Sequence, residues 1–78
     1  MANNDVDIKH PLITPNYQTV SQFTKQHPAF TNGGIRALIF NEHSNGLSQS
    51  RAVVRIGRKV LIDVAKFFSW VESQNEGQ

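Results

Sequence analysis

Seventy-eight residues, 38% of them hydrophobic and none of them cysteine, make one small domain at most. Without cysteine there are no disulfides, thiolate zinc sites or redox dithiols; no apolar run has the length of a membrane span or a signal-peptide core, so a soluble, cytoplasmic protein is expected. The net charge of +2 is unevenly placed: residues 31–62 carry Arg36, Arg51, Arg55, Arg58 and Lys59 against Glu42 alone, while residues 1–30 sum to zero and residues 63–78 to −2. Positive charge gathered in the middle third points to an anionic partner, the alternative being a solvated basic face.

Residues 1–16 hold two prolines and three asparagines without a hydrophobic period, and residues 74–78 are polar; both are expected to be flexible tails. The span 17–73 that remains, about 57 residues, lies near the lower limit for a domain that folds without staples. Thr19 followed by Gln22 has the capping-box spacing, and Val20 and Phe23 share a face, which predicts a helix over 20–26 ended by Pro28. Tyr17, just before it, is expected to pack back on it. Thr31 is the next cap, heading a helix in which Ile35, Leu38 and Ile39 form the buried stripe and Arg36, Phe40 and His43 a second face. Gly33 and Gly34 in its first turn weaken that helix by about 1 kcal/mol each relative to alanine. They either relax a tight start after "HPAF" or let backbone N–H groups approach a phosphate.

Residues 41–50 read as a polar loop with a turn at Asn45-Gly46. Two apolar runs then flank Gly57. A two-residue turn at Gly57-Arg58 would set Val60 and Ile62 beside Arg55. A three-residue loop, Gly57-Arg58-Lys59, pairs Ile56 with Val60 and Val54 with Ile62 and so puts four aliphatic side chains on one face. The longer loop is the expected one, with Arg58 and Lys59 at an exposed tip. Asp63 caps a closing helix whose Val64, Phe67, Phe68 and Val71 follow helical spacing, widened by Trp70; these aromatics are read as core rather than as ligand contacts.

Catalysis is not expected. The serines lack a glycine elbow, His10, His27 and His43 are at least 16 residues apart in metal-unlike contexts, and no pair of carboxylates suggests acid–base work. His10 and His27, each before a proline, read as surface groups. No cofactor, metal site or membrane association is indicated.

What remains is a binding geometry. The order helix, helix, strand, strand, helix, with a basic-tipped two-stranded antiparallel wing, predicts an α+β winged helix-turn-helix. Its second helix would enter the major groove of double-stranded DNA and its wing an adjacent groove or the flanking phosphates. The groove-helix candidates are Thr31, Asn32, Gly33, Gly34 and Arg36, the wing candidates Arg55, Gly57, Arg58 and Lys59, and Lys25 and Arg51 are further candidates for DNA contact.

The stretches "TVSQFTKQH", "TNGGIRALIF" and "AVVRIGRKVLIDVAKFFSWVES" together resemble the small winged-helix excisionases and the MerR-like DNA-binding domains related to them, over about residues 17–73. The proline and aromatic bulk of "HPAF" and the length of the 41–50 loop depart from that pattern. The resemblance implies a bacterial or phage-derived architectural protein of a mobile element or prophage. Such a protein binds attachment-site DNA, bends it and helps an integrase of the tyrosine-recombinase type to excise the element, as cooperative copies on DNA rather than a stable free dimer. A small transcriptional regulator with the same domain is the alternative, and a module for an acidic protein partner a third reading. No heptads follow the closing helix, so an effector-sensing coiled-coil dimer is not expected.

Overall fold

Thr19 begins the first helix as its spacing predicts: its Oγ1 accepts from Gln22 N–H at 3.1 Å, and Gln22 Oε1 accepts from Thr19 N–H at 3.0 Å. A closed capping box satisfies two N-terminal donors that the helix itself leaves unpaired. The computed structural model describes residues 15–76. Its elements in chain order are β1 (Tyr17–Gln18), α1 (Val20–Gln26), α2 (Asn32–Phe40), α3 (Leu47–Ser50), β2 (Val53–Ile56), β3 (Lys59–Asp63) and α4 (Val64–Glu76). They form a small compact α+β domain of helices and one three-stranded antiparallel sheet in the order β1-β3-β2.

The core is built where the helical stripes meet. Phe23 of α1 is fully buried and stands edge-on to Phe67 of α4, ring centroids 5.0 Å apart; Phe30 and Phe68 lie 5.7 Å from it on other sides. Val20, Ile35, Leu47, Ala52, Ile62 and Trp70 complete the buried set, with Leu38, Ile39, Val64 and Val71 partly buried against it. The stripes expected on α1, α2 and the closing helix are therefore the packed ones. His27 is no simple surface group: it caps the C-terminus of α1, and its ring lies 4.7 Å from Phe23 and 5.0 Å from Phe68.

Several expectations are corrected. The sheet has three strands, because Tyr17 and Gln18 pair with Asp63 and Ile62; Tyr17 is a strand residue, 44% exposed, lining a cleft with Gln22, Lys25 and Gln26 of α1. A two-residue strand has too few positions to show alternation in sequence. The 41–50 segment contains the single turn α3 and buries Leu47 completely. Asn45 organises it, donating to Leu38 O at 3.0 Å and accepting from Leu47 N–H at 2.9 Å, while its carbonyl accepts from Trp70 Nε1–H at 3.1 Å. α2 ends at Phe40 with Asn41 as its cap, so His43 falls outside the helical face assigned to it. α4 runs to Glu76, making 74–76 helical, and Asn16 O accepts from Val64 N–H at 3.0 Å, so residue 16 belongs to the folded unit. The rest of the expected N-terminal tail, apart from residue 15, and residues 77–78 lie outside the described residues. Among the described residues no helix is long and apolar enough to cross a membrane.

Removing the ring at the centre of this cluster should be the most damaging single truncation in the core. Phe23→Ala is expected to lose about 3–5 kcal/mol, read from urea denaturation followed by circular dichroism. A loss below about 1 kcal/mol, the typical effect of an unexceptional substitution, would show that Phe23 is not the centre of the packing.

Candidate nucleic-acid interface

The hairpin settles its own register. Val53 faces Ile62, Val54 faces Leu61, Arg55 faces Val60 and Ile56 faces Lys59, which leaves Gly57 and Arg58 as a two-residue turn. The three-residue connection expected from the aliphatic pattern is wrong. Gly57 has φ +60°, and Arg58 is not among the positive-φ residues, the pattern of a hairpin turn that wants glycine in its first position. Cross-strand partners share a face, so Val53, Arg55, Val60 and Ile62 lie on one side and Val54, Ile56, Lys59 and Leu61 on the other. The first side packs on the core through Val53 and buried Ile62; Ile56, expected to be buried, is 60% exposed.

Arg55 on the packed side looks like an error in patterning until its partner is found. Its guanidinium donates to Glu42 Oε2 at 2.6 Å, and Glu42 is buried. The hydrogen bond first, and the attraction to the carboxylate second, hold the Arg55 pKa above its ordinary value, so the cation persists at every pH the fold would meet. Arg55 was expected as an outward wing cation; it is instead tied to a carboxylate of its own chain. Arg58 and Lys59 are exposed and have no carboxylate partner among the described residues, where Arg55–Glu42 is the one ion pair.

The start of α2 is equally specific. Thr31 Oγ1 accepts from Gly34 N–H at 3.0 Å, and Asn32 Oδ1 accepts from the Thr24 hydroxyl at 2.7 Å, which joins α1 to α2. A Cβ at Gly34 would sit 3.0 Å from Thr31 Oγ1, so glycine there protects the cap. A Cβ at Gly33 would meet nothing within 4 Å among the described residues, so their packing does not call for glycine at that position. Arg36 is exposed, one turn further along the helix.

Helix and hairpin converge on Arg36. An open groove of about 330 Å³ is lined by Thr19, Ser21, Arg36, Arg58 and Lys59, with Val20 and Val60 at its floor. A second, of about 340 Å³, continues from the same Val20, Arg36 and Val60 to Ile39, Phe40, Glu42 and Arg55. Three unpaired cations from two elements distant in sequence thus line one surface. Thr31, Asn32, Gly33 and Gly34 do not line either groove, and Lys25 lines a separate cleft with Asn16, Tyr17, Gln18, Gln22 and Gln26. Arg51 is exposed in the left-handed region, φ 63°, where an L-residue other than Asn or Asp is uncommon. No cluster of three or more metal-ligating side chains occurs among the described residues.

Of the groove residues, Thr19, Val20, Ser21, Ile39, Phe40, Glu42 and Val60 were not singled out as site candidates from sequence. For Glu42 the signal was present, since it is the one anion among the five cations of residues 31–62.

Compared with protein-family models, curated proteins and solved structures, the chain matches none. What this surface binds is therefore read from its own side chains.

Arg55→Ala would leave Glu42 buried without its counter-ion, an expected loss of about 1–3 kcal/mol in chemical denaturation. Arg58→Ala should stay within about 0.5 kcal/mol of the parent, as an exposed and unpaired side chain does. Equal effects from the two substitutions would show that the ion pair does not brace the hairpin.

Proposed function

We infer that this protein binds double-stranded DNA through the surface shared by α2 and the β2–β3 hairpin, acting as a winged helix-turn-helix of the excisionase kind. In this reading α2 lies in the major groove, with Arg36 reaching a base edge or a phosphate. The hairpin is the wing, with Arg58 and Lys59 on backbone phosphates. The protein performs no chemistry itself and uses no cofactor: it shapes attachment-site DNA for a tyrosine recombinase, with several copies bound side by side, in a bacterial or phage setting.

The observation that carries this reading is the groove in which Arg36, Arg58 and Lys59 meet without a carboxylate among the described residues to neutralise them. The fold holds these exposed cations near one another despite their mutual repulsion; a polyanion relieves that repulsion by neutralising them, and the release of its counter-ions favours binding. The glycine at position 33, which no contact among the described residues explains, is consistent with close approach of a backbone phosphate to the first turn of α2. The hydroxyl of Ser21 adds a neutral donor beside the cations.

With Arg55 committed to Glu42, three or four phosphate contacts are expected. The logarithm of DNA affinity should then fall against the logarithm of salt with a slope of about −3 to −4. Fluorescence anisotropy on a labelled duplex between low and high salt measures it, and an affinity insensitive to salt would favour an acidic or neutral protein partner instead. Replacing Arg58 and Lys59 together by alanine should weaken binding to all duplexes and lower that slope by about 2, while the melting temperature stays near that of the parent. Arg36→Ala tests the helix separately: a change in which sequences are preferred assigns it to base edges, and a uniform loss assigns it to phosphate. The recombination role is checked by adding the protein to a tyrosine recombinase of the same genetic element on a substrate carrying both attachment sites. A rise in excision relative to integration is the expected result, and no change in that ratio would leave the plain regulator as the better description.

A further inference from the structure

Every other phenylalanine among the described residues, 23, 30, 67 and 68, belongs to one mutually packed aromatic cluster. Phe40 does not. It is 87% exposed at the last position of α2, the most exposed large hydrophobic side chain described. In a helix the Cα–Cβ bonds tilt toward the N-terminus, so the ring reaches back along the turn that carries Arg36, four residues earlier. Both side chains line the same groove with Arg55 and Val60, and Arg36 continues into the groove that holds Arg58 and Lys59.

We propose that Phe40 is a base-reading residue, packing its ring against the 5-methyl group of a thymine in the major groove. The assignment rests on the DNA reading above and names what that surface recognises. Its argument is the combination of an isolated apolar ring with a cationic rim. A protein partner needs roughly 800 Å² of surface on each side for a stable interface. One phenylalanine supplies no more than about 250 Å². The other strongly exposed aliphatic, Ile56, shares its strand face with Lys59 and so stands on the side of the hairpin opposite Arg55 and the Phe40 groove. The apolar area is therefore small and local, lying beside Arg36 and Arg55, with Arg58 and Lys59 in the adjoining groove that shares Arg36. Duplex DNA presents the complementary pattern in the major groove, where the thymine methyl is the apolar group on the base edges and phosphates run along both sides. Glu42, the one acid in this groove, is buried and held by Arg55, so it does not face the phosphates as an unpaired charge.

The experiment begins with a random-sequence duplex library enriched on the wild-type protein. The enriched duplex is then synthesised with each thymine singly replaced by uracil, which removes the methyl and nothing else. At fixed salt, one such replacement should weaken wild-type binding about fourfold, the worth of one buried methyl group. Phe40→Ala should bind the thymine and uracil forms of that position equally, and Phe40→Leu should keep part of the discrimination. Circular dichroism melts of both variants should match the parent, since so exposed a ring contributes little to packing. The proposal is overturned if wild-type protein binds every uracil duplex as tightly as the parent, or if Phe40→Ala retains the discrimination. It is equally overturned if Phe40→Ala converts a self-associating protein to a monomer in sedimentation while DNA discrimination persists, which would give the ring to a second copy of the chain. A wild-type protein that enriches no duplex and shows no salt-dependent binding would remove the DNA reading itself, an outcome distinct from these.

Discussion

A buried carboxylate controls the geometry of this domain's basic face. Glu42 sits just beyond the end of α2, and Arg55 comes to it from the middle of β2 on the side of the hairpin that also carries Val53, Val60 and Ile62. Without the guanidinium, Glu42 would be an unpaired charge with little access to water; without Glu42, an arginine would face the packed side of a ribbon. Each makes the other tolerable, and together they join the C-terminal end of α2 to the hairpin. The register of the two-residue turn sets Arg55 on this side of the hairpin, where its half-exposed side chain reaches Glu42. Surface ion pairs are commonly worth little, but here one partner is buried and the bond at 2.6 Å is short and charge-assisted.

For the proposed DNA binding, the consequence is a division of labour among the cations. Arg55 serves the fold, while Arg36, Arg58 and Lys59 are left to the surface. Helix and hairpin are anchored to each other through Arg55–Glu42 at one end, and α1 is joined to α2 at the other by the hydrogen bond between Thr24 and Asn32. Preorganised cations lose less side-chain and loop entropy when a polyanion arrives than cations on a mobile loop would.

The stability of the unit lies elsewhere, in the aromatic cluster of α1, the α1–α2 connection and α4. The 41–50 segment, which adds no charge to the groove beyond Glu42, is fastened to that cluster by Leu47 and by the bond from Trp70 to the Asn45 carbonyl. Proline and aromatic bulk in "HPAF" also acquire a purpose, since Phe30 closes the cluster 5.5 Å from Phe67. Separation of the core from the cationic surface means that charges at the hairpin tip can vary without disturbing the packing, whereas changes at Arg55 cannot.

Local signals were legible in the sequence where a few neighbouring residues determine the outcome. The caps at Thr19, Thr31 and Asp63 hold because each needs only a side-chain oxygen and an amide two or three residues on. The helical stripes of α1, α2 and α4 hold because period alone selects their buried face, and the concentration of cations between residues 31 and 62 is a matter of counting. Features that depend on residues far apart in the chain were decided by tertiary structure. The strand β1 forms because β3 offers it an edge, and α3 forms because Leu47 finds a space in the core; neither has enough residues to announce itself. The hairpin register is the clearest case. Alternation by itself favours the arrangement with the most aliphatic side chains on one face. The observed register instead sets Arg55, its side chain half exposed, where it reaches a carboxylate thirteen positions away, which only the folded chain brings within a hydrogen bond of it.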